Sequence, residues 1–231
     1  MFDVSLLWSA LPTLLAGAQL TLVLTALVIL LGMTLALPVA LCANARFWAV
    51  RAAAQAYMLF FRGTPALVQL FLLYYGAGQF DGVRQSFLWP VLRDPFWCVV
   101  IALGLNSAAY AGKTLSAALD AVPKGLREAA FMLGLSRSQR FWQIDLPLAL
   151  RTTLPALSND VILTCKATSL ASTVTLLELT GTARLLTAET YAPYEVFFGA
   201  GLVYLAINYL LMSGLRKLER ILSIQTASPS P

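Results

Sequence analysis

Glu128-Ala129-Ala130-Phe131-Met132-Leu133-Gly134, followed after nine further residues by Ile144-Asp145-Leu146-Pro147, lies in a charged interval between two very apolar stretches. Residues 126–133 read as a short helix, Gly134 as its stop, and Ser136-Arg137-Ser138 as a polar turn. The residues after the turn read as a second short helix ending in Leu146-Pro147. A glycine at a helix end takes the left-handed conformation at little cost, and proline cannot continue a helix, so a compact helix-turn-helix is predicted. It is too long for a minimal connector and too structured for a linker. Its setting is decided by what flanks it.

The chain has 231 residues, 59% hydrophobic and only 12% charged, with a mean hydropathy of +0.75. A soluble domain carries about 25% charged residues. Four windows hold no charge at all: Val4 to Ala45, Gly63 to Phe80, Pro95 to Gly112 and Val196 to Leu215. Each is near or above the ~20 apolar residues that cross the hydrocarbon core as a helix. The chain is therefore an all-α integral membrane protein. The net charge of +5 does not indicate nucleic acid, because the basic residues are spread over short loops with no aromatic-basic face. Three cysteines fall inside apolar stretches and read as small buried hydrophobes. Histidine is absent and the acids do not cluster, so neither catalytic nor metal-ligating residues are expected. Asp3 stands where a cleaved leader would carry Lys or Arg, so the first apolar stretch reads as an anchor.

Five spans are expected: Pro12 to about Cys42, Ala53 to Gly78, Pro95 to Leu119, Leu148 to Leu177, and Val196 to Arg216. Met1 to Leu11 reads as a short amphipathic segment, with Phe2 and Trp8 at the interface. Gly17, Gly32 and Ala36 offer small surfaces for helix packing. Gly63-Thr64-Pro65 permits a kink in the second span, and Arg62 can snorkel to the inner surface. Residues 79–94 and 178–195 read as polar loops, the second acidic at Glu178, Glu189 and Glu195. The loops at 43–52, 120–151 and 216–231 hold ten Lys/Arg against three in the two opposite loops. That asymmetry predicts an external N-terminus, a cytoplasmic C-terminus and a cytoplasmic Glu128 interval. One transmembrane domain, residues 1–222, with a Ser/Pro-rich tail at 223–231 expected to be disordered, is the simplest description.

Lys166 falls midway along the fourth span. A charge at that depth costs ~2.5 kcal/mol or more, so it should face a partner or a wet pathway. A substrate carboxylate and a structural ion pair are both open to it. Asp160, six residues away, lies on a different face. Ala111-Gly112-Lys113-Thr114 ends like a phosphate-binding loop, but Ser107 stands where that loop needs its first glycine, so no nucleotide site is expected in this chain.

The Glu128-Ala129-Ala130, Gly134, Ile144-x-Leu146-Pro147 pattern resembles the EAA loop of binding-protein-dependent ABC importer permeases. Phe61-Arg62-Gly63-Thr64-Pro65 with Val68-Gln69-Leu70 and Tyr74-Tyr75-Gly76 resembles the polar amino acid permeases of the histidine/glutamine type. So do Leu105-Asn106 with Ala109-Tyr110, and Lys166-x-Thr168-Ser169-Leu170. Ser158-Asn159-Asp160 and Tyr191-x-Pro193 look most like the M-type subunit of the histidine/lysine-arginine-ornithine importer. Lys113 stands where the family commonly has Glu, and Ala167 where many members have Asp.

The resemblance implies a type I ABC importer permease fold with five spans in a bacterial inner membrane. It implies an importer of polar amino acids, with cationic amino acids or opine-like derivatives first, working by alternating access. Residues 120–147 would couple to a cytoplasmic ATPase dimer through Glu128, Ala129, Ala130, Gly134, Ile144, Leu146 and Pro147. ATP and Mg would be bound by that partner, with no cofactor in this chain. A second permease, a heterodimer rather than a homodimer, and a periplasmic or lipid-anchored solute-binding protein complete the expected complex. The substrate pathway is expected to include Thr64, Asn106, Lys166, Thr168 and Ser169. The alternative is a self-contained secondary transporter or channel for small polar solutes. Such proteins often show inverted repeats and paired broken helices, and the sequence displays neither.

Overall fold

The computed structural model describes residues 3–222, and these are helical almost throughout. Phe2 and the expected disordered tail lie outside the described residues. Helix α1 spans Val4–Ala43 and starts at Asp3, whose carboxylate accepts from Ser5 N at 2.8 Å. The expected amphipathic segment is therefore the first part of the span, and Pro12 sits inside the helix rather than opening it. Proline within a span is tolerated where surrounding groups re-satisfy the freed backbone.

The second expected span is broken. Helix α2 (Trp48–Gly63) ends at Thr64, and α3 (Ala66–Phe71) leaves at 105° to it, continuing as a π turn at Leu72–Gly76 and a 3-10 turn at Ala77–Gln79. Two single-turn helices, α4 (Asp81–Arg84) and α5 (Trp89–Leu92), occupy the loop that follows. Helix α6 runs from Pro95 to Asp120, capped by Asp94.

The 120–147 interval holds α7 (Lys124–Met132) and α8 (Arg137–Arg140). The second of these does not stop at Pro147. It passes through a π turn, Phe141–Asp145, into α9 (Leu146–Ala167), and 137–174 form one long helix. Proline clashes with the carbonyl four residues back, here Gln143, and that residue lies in the π turn where the hydrogen-bond ladder is already displaced. A 3-10 stretch, Thr168–Val174, ends at Thr175, whose φ is 69°.

Residues 178–195 are not a solvated loop. Helix α10 (Leu179–Thr190) packs against α1, and α11 (Pro193–Leu222) runs six residues past the expected end at Arg216. Glu178 is fully buried. Its carboxylate accepts from Thr180 N, Gly181 N and Tyr204 Oη, each at 2.9 Å, so it caps α10 and holds α11. Thr21 of α1 accepts from Leu179 N at 3.1 Å in the same cluster. Among the described residues three helices are long and apolar enough to cross a membrane, or up to five if each of the two bent pairs counts as one span.

Helices α1 and α6 form the spine. Lipid is as apolar as leucine, so close packing rather than hydrophobicity draws helices together. A Cβ on Gly32 would stand 2.5 Å from Ser107 Oγ, and one on Gly104 would stand 2.6 Å from Leu31 Cδ2. The packing reading of Gly17 and Gly32 holds, Gly17 meeting Thr182 of α10. Cys98 and Cys165 are buried, whereas Cys42 is on the surface. Gly32→Val is expected to destabilise the chain by about 1–3 kcal/mol through overpacking, seen as a lower Tm in detergent; an unchanged Tm would show that the contact is not limiting.

Candidate functional site

Helix α7 ends in a Schellman motif built on Gly134. Its φ is +74°, and Leu135 N donates to Ala130 O at 3.1 Å while Gly134 N donates to Phe131 O at 2.9 Å. Ser136 and Gln139 then form a reciprocal capping box that starts the next helix. The corner is thus fixed at both ends by backbone hydrogen bonds.

What fastens the corner to the membrane helices is Asp145, 4% exposed. Its Oδ2 lies 3.2 Å from Arg140 Nε and its Oδ1 lies 3.5 Å from Arg127 Nε. Arg127 Nη2 also donates to Leu119 O near the end of α6. One carboxylate therefore joins α7 and the root of α9, and through Arg127 the end of α6. Glu128, Ala129 and Gly134 are exposed, Ala130 and Leu146 are buried against their own chain, and Ile144 and Pro147 are half-buried. The outward tip is hydrophobic: Phe131, Met132 and Leu133 are 78%, 83% and 80% exposed. Neither the tip nor Asp145 was assigned a role from sequence. The available signal for Asp145 was an acid five residues after Arg140 in a predominantly basic interval.

A second site lies where α2 breaks. Thr64 Oγ1 donates back to Phe60 O at 2.8 Å. Gln69 Nε2 donates to Phe61 O at 2.9 Å, Thr64 O at 3.0 Å and Thr64 Oγ1 at 2.8 Å. Asn106 Nδ2 of α6 donates to Phe61 O at 2.8 Å and to Gln69 Oε1 at 3.0 Å. Carbonyls left open by the break are thereby satisfied by side chains. Arg62 lies 5.2 Å over the ring of Tyr110, midway along α6.

Beside this knot, α6 and α9 enclose a cleft of about 210 Å³ lined by Asn106, Ser107, Tyr110, Asp160 and Thr164 among apolar neighbours. Thr64 and Asn106 are thus brought together through Gln69. The other expected pathway residues cluster at the end of α9, outside that lining. Lys166 is exposed in the last turn; Thr168 is fully buried, donating to Cys165 O at 2.7 Å; Ser169 is half-buried, donating to Lys166 O at 2.7 Å. Among the described residues Lys166 makes no ion pair, Asp160 included. Gln69 and Asp160 escaped the sequence reading as site residues, although an acid inside an apolar span is a signal.

Known proteins resemble this arrangement. The octopine transport permease OccM of Rhizobium radiobacter is 45% identical over 91% of this chain and 86% of its own length. The nopaline permease NocM of Agrobacterium fabrum is 41% identical (90% and 87%), and the arginine ABC transporter permease ArtM of Haemophilus influenzae is 40% identical (88% and 89%). A crystal structure of an amino acid ABC transporter with histidines superposes with a TM-score of 0.84 at 29% identity, covering 95% of this chain and 99% of that one. An inward-facing methionine ABC transporter, at 18% identity and a TM-score of 0.75 over 96% and 100%, shares the fold. The fold is that of a type I ABC importer permease, and the chain is a non-hydrolytic translocation subunit whose ATPase is a separate polypeptide. This sets aside the self-contained transporter. Residues 29–223 match the family described as binding-protein-dependent transport system inner membrane component, and the chain belongs to it.

Proposed function

We propose that this chain is one permease of an ATP-driven, binding-protein-dependent importer of cationic amino acids or opine-like derivatives in a bacterial inner membrane. The relatives named for octopine, nopaline and arginine support the cargo class, as does an acid, Asp160, in the cleft. Residues 1–222 act as a single domain with five spans, each bent pair counting as one. The N-terminus is outside, as the loop charges require. A second permease, by the M-type resemblance a different one, completes the membrane pair. The ATPase dimer binds ATP and Mg, and a periplasmic or lipid-anchored protein delivers the cargo.

The observation that carries this reading is the continuity of the helix from Arg137 to Val174. Asp145 anchors its root, and Asp160 and Thr164 face the cleft on the same rod. Fifteen residues separate Asp145 from Asp160, which is ~22 Å of helix at 1.5 Å per residue. A rigid-body push on the hydrophobic tip by the ATPase therefore moves the cleft wall without a flexible joint between them. ATP closure of the ATPase dimer opens the cleft outward, and hydrolysis reverses it. Glu128, Ala129, Ala130, Gly134, Ile144, Leu146 and Pro147 form the coupling element, three of them on its surface. Thr64, Asn106, Lys166 and Ser169 line the route, and Thr168 supports the turn that holds Lys166 and Ser169.

Purified complex in proteoliposomes is expected to accumulate L-arginine only with internal ATP; nucleotide-independent accumulation would refute the reading. Gly134→Asp, which places a side chain at φ +74°, and Glu128→Lys are expected to abolish co-purification of the ATPase, and retention of the ATPase by both would remove the loop from that contact. Asp145→Asn strips the partner from two half-buried guanidinium groups, and it is expected to raise amide hydrogen exchange across 124–145 by tenfold or more while exchange in α1 stays unchanged, consistent with a loss of about 2 kcal/mol. Lys166→Ala is expected to lower uptake at least several-fold with ATPase assembly intact; unchanged uptake would take Lys166 off the route.

A further inference from the structure

Gln69 carries no charge, yet its amide decides what the cleft presents. One end of that amide, Nε2, lies 2.9 Å from Phe61 O and 3.0 Å from Thr64 O. Carbonyl oxygens only accept, so this end is the donor and the opposite end, Oε1, is an acceptor. Oε1 faces Asn106 at 3.0 Å, and Phe61 O faces the same Asn106 atom at 2.8 Å. Two acceptors around one atom require the amino group there. Both N–H bonds of Asn106 are consumed, and among the described residues its carbonyl, Oδ1, has no hydrogen-bond partner and is not enclosed. Asn106 lines the cleft together with Asp160.

We infer that Gln69 is a positioning residue that locks the Asn106 amide with its carbonyl toward the cleft, so that Asn106 and Asp160 form an acceptor pair. The inference rests on the transport reading above. The pair takes the N–H-rich cationic end of a cargo, such as a guanidinium. It rejects an end of the same shape bearing a carbonyl, which would leave acceptors facing one another unpaired. Were the Gln69 amide absent, Phe61 O at 2.8 Å would hold the Asn106 amino group at a single point, the amide would tilt on that one bond, and the discrimination would fade.

Uptake of labelled L-arginine by the reconstituted complex, with L-citrulline as competitor, tests this. Citrulline replaces the guanidinium by a neutral ureido group of similar shape. The arginine-over-citrulline preference is expected to fall about tenfold in Gln69→Met, the loss appearing in KM with kcat held. Asn106→Leu, which leaves the bonds of Gln69 to Phe61 and Thr64 in place, is expected to lose the same factor. The double variant is expected to lose no more than either single one. Gln69→Glu, which in its neutral form keeps one donor and one acceptor, is expected to restore much of the preference. A wild-type complex without any preference for arginine refutes the cationic-cargo reading and the acceptor pair together. A wild-type preference that survives both single variants, or variants that slow both cargoes equally and add in the double, overturns the role of Gln69 alone.

Discussion

Asp145 is the point on which the rest depends. A carboxylate 4% exposed with guanidinium groups at 3.2 and 3.5 Å is stabilising only as a set. Remove the acid and two half-buried cations lose their partner; remove both arginines and a buried charge is stranded, at a cost of several kcal/mol. The set has one arginine on α7, one at the end of α8 where it runs on into α9, and a further bond from Arg127 into the end of α6. It turns three separate helices into one body at the corner proposed as the ATPase contact. The exposed hydrophobic tip can then press on a partner without the corner deforming, since Gly134 and the Ser136 capping box fix the backbone on either side.

Further into the bundle the same economy of polar groups recurs. Every buried polar atom in a lipid setting needs a partner within the protein. Glu178 finds two backbone N–H groups of α10, the Tyr204 hydroxyl and the Thr21 hydroxyl, so a single acid pins α1, α10 and α11 together. At the break in the second span, Gln69 and Asn106 do the corresponding work for the carbonyls of Phe61 and Thr64. Between these polar fastenings, α1 and α6 close on one another through glycines opposite Ser107, Leu31 and Val39. The helices that must move as one are fastened by charge, and those that form the spine are fastened by shape.

The spans were legible where they are uniformly apolar: α1, α6 and α11 fall where their charge-free windows lie. The helix-turn-helix was legible because its punctuation is chemical, Gly134 for the corner and Ser136 for the restart. Pro147 misled, because its usual meaning as a stop was cancelled by a π turn that residue-by-residue reading does not reveal. The region 178–195 misled for another reason. Glu178, Glu189 and Glu195 look like a solvated loop, but Glu178 is buried as a cap, and Glu195, 9% exposed, accepts from Asp3 N at 3.1 Å. Composition cannot distinguish an acid in water from an acid satisfied by a helix terminus. The kink at Gly63-Thr64-Pro65 was expected, but its size, 105°, depends on Gln69 and Asn106 reaching across from other segments. Such tertiary partners also explain why the pathway set read from polarity came out divided, with Thr64 and Asn106 knotted together while Lys166, Thr168 and Ser169 lie at the end of α9.

The central claim is that the coupling corner and the cleft-bearing helix are one rigid lever. The most direct measurement places spin labels at Lys124 on α7 and Thr152 on α9, both exposed, in the assembled transport complex, and determines their separation with and without trapped ATP. A single narrow distance that does not change with nucleotide is the predicted result. A distance that broadens or shifts when ATP binds would show the corner flexing against the helix, and would contradict the account.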